Sequence, residues 1–125
     1  MFSFLSIVSR IEELRSKGYE IITKCYGLAA SGAFVIFVTG NKRISQAHSR
    51  FMIHQPSAMS IEMNSTESYR RLSKDMDEIW DRLRSIIKKY TKLDDAFLGY
   101  MTESERDEYF WPEQAQFYGI VDIIQ

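Results

Sequence analysis

The sequence predicts an α/β domain, and three observations carry that expectation. Short β-rich runs at residues 19–26, 50–55 and 120–124 alternate with segments of helical periodicity. Glycine and proline fall at the boundaries between them: Gly18, Gly40, Pro56, Pro112 and Gly119. With 125 residues, 45% hydrophobic and 26% charged, the chain is sized for one domain, residues 1–125, with a core of its own, and its composition excludes wholesale disorder.

Taken in order, Phe4, Ile7, Val8, Ile11 and Leu14 recur at helical spacing, and Gly18 supplies a C-terminal stop. Residues 19–26 read as a strand led by Ile21 and Ile22. Residues 27–39 are small and apolar, with Ala29, Ala30, Gly32 and Ala33 suited to close approach of a helix to a sheet; Gly40-Asn41 then signals a turn. Residues 50–55 form a second strand, closed by Pro56.

The clearest segment follows. Asn64 is a candidate N-cap, and Glu67 three residues later completes a capping-box pattern. Tyr69, Leu72, Met76, Ile79, Leu83, Ile86 and Tyr90 then step by three and four, widened by Trp80 and Ile87. A helix from Thr66 to Tyr90 would be about 37 Å long at 1.5 Å per residue. That is too long for a domain of this size to cover fully, so part of it is expected to project and bury its stripe on another subunit. A short helix is expected at residues 93–101, a polar turn at 102–108, a helix opened by Pro112 and ended by Gly119, and a last short strand.

Sixteen basic and seventeen acidic residues give a formal charge of -1, which argues against nucleic acid as a partner. No apolar run approaches the roughly 20 residues needed to cross a bilayer, and the N-terminus lacks the basic segment and cleavage site of a signal peptide. One cysteine, Cys25, excludes an intrachain disulfide and suits a reducing, cytoplasmic setting. With two histidines, His48 and His54, little remains for a metal site, and no cofactor is expected.

Three polar residues sit in settings that could carry chemistry. Ser31, in Gly27-Leu-Ala-Ala-Ser-Gly-Ala, lies between a β-rich run and an apolar helical run. A helix N-terminus there favours a developing negative charge, and the Gly32 N–H could donate to an oxyanion. The commoner role of such a serine is an N-cap or a tight packing contact. His54 ends an apolar strand beside a forced turn and could face a cleft, although a lone histidine beside apolar residues is more often a satisfied core group. Asp107, in a polar turn, could orient an imidazole, although most such carboxylates are only solvated. Cys25 with His54 is the alternative nucleophile pair, but a thiol inside a strand run is ordinarily inert. Each signal is weak; the order Ser, His, Asp is one of the orders in which triads occur.

These residues lie in longer motifs. Gly27-Leu-Ala-Ala-Ser31-Gly-Ala-Phe resembles the nucleophile motif of the Clp protease proteolytic subunits, Gly-x-Ala-Ala-Ser-Met-Gly-Ala. Ser49-Arg-Phe-Met-Ile-His54-Gln-Pro56 resembles that family's histidine motif almost letter for letter. Glu105-Arg-Asp107 and the run from Glu113 through Tyr118-Gly119 to Asp122 resemble its aspartate region and closing motif, and the helix near residues 64–90 corresponds to its handle. The resemblance spans almost the whole chain. It implies a crotonase-like α/β fold of repeated strand–helix units with a projecting handle. It also implies Ser31 as nucleophile, His54 as general base and acid, Asp107 as the group holding the imidazole, and Arg106 as a ring-to-ring contact. The reaction implied is hydrolysis of peptides or unfolded proteins through an acyl-enzyme, in a chamber of stacked homo-oligomeric rings.

Three departures qualify those expectations. The chain begins about where the family's helix after its Gly-Gly loop begins, so one oxyanion donor, a substrate strand and most of the ATPase-docking surface are expected to be missing. One lost donor lowers rates roughly 10²–10³-fold, and coupling to a Clp ATPase is expected to be weak or absent. Gly32 follows Ser31 directly where the family has Met then Gly, and the serine–histidine separation is 23 residues (54 minus 31), as in phage-like variants. Residues 57–63 replace a Gly-rich stretch. Alternatives are therefore a catalytically impaired subunit with a structural or regulatory role, a crotonase-fold acyl-CoA enzyme, or a peptidase using a serine–lysine dyad.

Overall fold

A computed structural model describes residues 3–56, 66–104 and 106–125. Its elements run α1 (Phe4–Ser16), β1 (Ile22–Cys25), β2 (Leu28–Ala30), α2 (Gly32–Val38), β3 (Lys42–Ser45), β4 (Arg50–Ile53), α3 (Thr66–Tyr90), α4 (Asp95–Ser104), β5 (Glu108–Phe110), α5 (Pro112–Phe117) and β6 (Ile123–Ile124). The strands form two sheets. One is parallel, in the order β1-β3-β6; the other has the order β2-β4-β5, with β2 and β4 parallel and β5 antiparallel to β4.

The chain passes from the first sheet to the second twice, at the corners 26–27 and 46–49. Backbone and side-chain hydrogen bonds stitch the corners together. The Cys25 carbonyl accepts from the Gln46 N–H at 3.0 Å and from Ser49 Oγ at 2.8 Å, and the Gly27 carbonyl accepts from the Arg50 N–H at 2.7 Å. Ser49 is fully buried, so its hydroxyl needs that partner. These corners repeat a strand–strand–helix unit, the α/β architecture expected of the crotonase-like fold.

Two expectations are corrected in detail, and one strand forms where the sequence suggested none. Residues 27–39 hold a strand as well as a helix, because the β-run continues round the corner into β2 before α2 begins. Residues 102–108 are not one turn: 102–104 finish α4 and Glu108 opens β5, whose partner is the distant strand β4. β3, Lys-Arg-Ile-Ser, carries little apolar pattern and is a strand because β1 and β6 flank it. The candidate N-cap Asn64 and the stretch 57–63 lie outside the described residues.

The core sits where α2 meets β4 and α3. Phe34, Val35, Phe37 and Val38 of α2 are buried, as are Phe51 and Ile53 of β4. The rings of Phe37 and Phe51 lie 5.0 Å apart at 47°, and burying each such side chain stabilises by about 1.5–3 kcal/mol. α2 is apolar throughout and buries most of its surface, with Ala33 left exposed and Ile36 half-buried.

The long helix has the predicted limits, Thr66–Tyr90. Its buried seam is Met76, Trp80, Leu83 and Ile87, one position round from the stripe centred on Ile79 and Ile86, which are half-buried. α2 packs against this helix, Thr102 of α4 bonds the Trp80 indole, and α1 flanks the Ile86 side across a groove. None of the first residues of α3, 66–75, is fully buried, so this part of the helix has the largely uncovered character expected of a handle. At the other end, Tyr90 OH and Lys89 Nζ both donate to Glu12 of α1. The Tyr90 hydrogen bond, with Lys89 beside it, holds the Glu12 carboxyl below its ordinary range; burial and the Glu12 bond push the Tyr90 hydroxyl up. Arg43 ties the same helix end to the last strand, donating from Nη1 to the Tyr90 carbonyl at 2.6 Å and from its backbone to Asp122 at 2.8 Å. Among the described residues, no helix is long and apolar enough to cross a membrane.

Candidate active site

The second sheet sets the positions of the three candidate residues. β2 pairs with β4 in the register Ala30↔Met52, and the Ser31 N–H donates to the Met52 carbonyl at 3.2 Å. Ser31 therefore leaves the end of β2 held against β4. His54 is the first residue past β4 on the same end. β5 runs back along β4 in the register Phe51↔Phe110, Met52↔Tyr109, Ile53↔Glu108; His54 directly follows β4 and Asp107 directly precedes β5, so both flank the last pair of this ladder. The three thus cluster at the carboxyl end of the parallel pair β2/β4, the end at which open α/β sheets place their ligands.

Ser31 has φ 57° and ψ -122°, and among the described residues it is the one non-glycine residue with positive φ. This is a sharp strand-to-helix turn of the kind that exposes a nucleophile, and such geometry costs about 1–3 kcal/mol. The side chain is exposed and makes no capping hydrogen bond to α2, so an N-cap does not account for it. Gly32 opens α2. A Cβ there would lie 2.7 Å from the Phe4 ring, so glycine directly after the serine lets Phe4 of α1 pack against the start of α2 where it stands. The first N–H groups of a helix have no partner within it, which leaves the Gly32 N–H available to an oxyanion.

His54 is half-buried, with Nδ1 3.2 Å from the Gln55 carbonyl. It and Ser31 line one small cavity with Phe34, Val35, Ile53, Trp80, Leu83 and Ile87. Asp107 does not line it. Among the described residues, no hydrogen bond joins Ser31 to His54 or His54 to Asp107. The structure therefore brings the serine and histidine to one cavity and the aspartate to the adjoining strand end, without closing the contacts. Arg106, next to Asp107, is exposed. Cys25 is buried in β1 and does not line the cavity with His54, which removes the basis for a thiol nucleophile. Trp80 stood out in the sequence only as a widening of the helical stripe; nothing in the spacing places it on the cavity that Ser31 and His54 line, because that depends on how α3 packs against α2. No group of three or more His, Cys, Asp or Glu side chains that could hold a metal ion occurs among the described residues.

Alternating strands and helices folded into two sheets, with one 25-residue helix set against them, define an α/β protein of the handle-bearing type. A family model described as Clp protease matches residues 4–125, and the chain belongs to that family. It is 34% identical over 129 residues to "ATP-dependent Clp protease proteolytic subunit 3" of Synechococcus sp. (strain CC9605), covering 96% of this chain and 58% of that protein. It is 38% identical over 109 residues to "ATP-dependent Clp protease proteolytic subunit" of Vitis vinifera, covering 84% and 53%. It is 25% identical over 123 residues to "ATP-dependent Clp protease proteolytic subunit 2" of Mycobacterium leprae, covering 97% and 56%. The chain thus spans somewhat more than half the length of the curated relatives it matches.

Proposed function

We propose that the chain is a serine-type endopeptidase subunit of the Clp kind, with Ser31, His54 and Asp107 as its triad. The observation that carries this reading is the strained, uncapped Ser31 at the same sheet end as His54 and, by register, Asp107. Ser31 Oγ attacks the peptide carbonyl while His54 Nε2 takes its proton. The oxyanion accepts from the Gly32 N–H. His54 then protonates the leaving amine, and water attacks the acyl-enzyme by the reverse path. For this the ring must release its Nδ1 from the Gln55 carbonyl and donate to Asp107, the residue just before β5.

Substrates on this reading are peptides or unfolded proteins, handled in the cytoplasm by a homo-oligomer, expected as stacked rings, that uses the uncovered start of α3 and Arg106. A second reading, an impaired subunit acting in assembly, draws on one observation: Nδ1 faces the Gln55 carbonyl and not Asp107. Hydrolysis of fluorescein-labelled casein separates the two. The peptidase reading expects measurable turnover, reduced roughly 10⁴-fold by Asp107→Asn and at least as far by His54→Ala. Absence of turnover by a folded, assembled sample supports the structural subunit, and turnover indifferent to His54→Ala supports a serine–lysine dyad.

A further inference from the structure

The wall of the cavity beside Ser31 and His54 bears on which peptide bonds the site accepts. Its free volume is about 10 Å³, room for about one water-sized group. Its floor is apolar, made by Phe34, Val35, Ile53, Leu83, Ile87 and the indole of Trp80, the largest side chain among them. A carbonyl within reach of both Ser31 and His54 stands at this cavity, and the side chain on its acyl side is attached only one bond away. That side chain must enter the space or be kept clear of it.

The indole is not a loose wall. Trp80 is 2% exposed, and its Nε1–H donates to Thr102 Oγ1 at 2.7 Å. The Thr102 hydroxyl in turn donates to the Leu98 carbonyl at 2.9 Å, which fixes its lone pairs toward the indole. Swinging the ring aside would leave a buried N–H without a partner in an apolar interior, an unfavourable outcome that opposes the movement. The Arg84 guanidinium, 6.0 Å from the ring centroid, stands over the indole as well. Close-packed interiors have no slack to absorb a larger guest without such a movement.

We propose that Trp80 is the specificity-determining residue of this site and restricts cleavage to bonds with glycine or alanine on the acyl side. The inference rests on the serine-peptidase reading, and its test separates the two. Intact-mass detection of a fluorophosphonate adduct on the wild-type chain reports the activated serine without any peptide side chain. The kcat/KM values are then compared for two aminocoumarin tripeptides that differ only in a terminal Ala or Phe. One methylene of misfit in a shaped apolar pocket changes kcat/KM roughly 10- to 200-fold, so wild type should favour Ala by at least roughly tenfold. Trp80→Ala should lower the Ala/Phe ratio at least as much, Trp80→Leu should lower it in part, and Thr102→Val should lower it by unpinning the indole. Because each ratio is taken within one protein, changes in active fraction cancel. If Trp80→Ala does not fold, Trp80→Leu and Thr102→Val carry the same comparison. A labelled wild type that cleaves both peptides equally overturns the inference and leaves the peptidase standing, as does an unchanged ratio in folded variants. A folded wild type that takes no label overturns the peptidase reading and this inference with it.

Discussion

Replacing Ser31 by glycine should make the protein more stable while removing its proposed nucleophile. At φ 57° and ψ -122° the residue occupies a region that glycine enters freely and L side chains do not. The strain stored there is about 1–3 kcal/mol. Glycine returns about 0.5–1 kcal/mol of that as extra freedom in the unfolded chain, leaving a net gain of about 0.5–2 kcal/mol. With 125 residues and about 2.1 cal/mol/K of unfolding entropy per residue, the entropy at Tm is about 0.26 kcal/mol/K. The gain is then about 2–8 °C in Tm. Ser31→Ala keeps the Cβ and the strain and should melt close to wild type. Differential scanning calorimetry at one fixed subunit concentration makes the comparison, since assembly would otherwise shift Tm by mass action. A Ser31→Gly variant that melts at or below Ser31→Ala would refute the strained-turn argument.

Two further outcomes are expected. Phe51 is fully buried on the strand that holds both Ser31 and the β5 end, and it packs on Phe37; Phe51→Ala should destabilise by about 3–5 kcal/mol, and a urea-denaturation loss below about 1 kcal/mol would show that β4 is not packed as described. Glu12→Gln should destabilise at pH 7, because the folded Glu12 carboxyl is held below its unfolded value of 4.5, first by the Tyr90 hydrogen bond and then by Lys89. Its contribution is present above that value and is lost as pH falls through the folded pKa, so the gap between wild type and variant should close on acidification. The raised Tyr90 pKa acts at the other end: its contribution is present below the unfolded value of 10.0 and fades as pH rises through the folded one. A gap that stays constant from pH 7 to pH 3 contradicts the Glu12–Tyr90 link between α1 and α3.

Much of the fold was legible where the chain signals locally. The stripe from Tyr69 to Tyr90 fixed the long helix to its ends, and Gly18 and Gly119 marked helix stops that the structure gives positive φ, 90° and 72°. What was illegible depends on distant partners. β5 is three residues at the end of a polar stretch and exists because β4 lies beside it, 59 positions earlier by the Phe51↔Phe110 pairing (110 minus 51). β3 is polar and flanked, and β2 hides behind a corner whose hydrogen bonds join residues 24 apart. The seam of α3 turned toward Trp80 because coverage by α1 on one side and α2 on the other is a tertiary fact that a heptad pattern does not contain. Of the site, the motifs gave the candidate residues and their order. Their approach came from sheet register, and the positive φ of Ser31, the clearest local mark of the site, leaves no trace in residue type.

The central claim, that Ser31 is an activated nucleophile at this sheet end, is tested most directly by intact mass after fluorophosphonate treatment of the wild-type chain and of Ser31→Ala. One adduct on the wild type and none on the variant is the predicted result. No adduct on a folded, assembled wild type, or an equal adduct on Ser31→Ala, would contradict it.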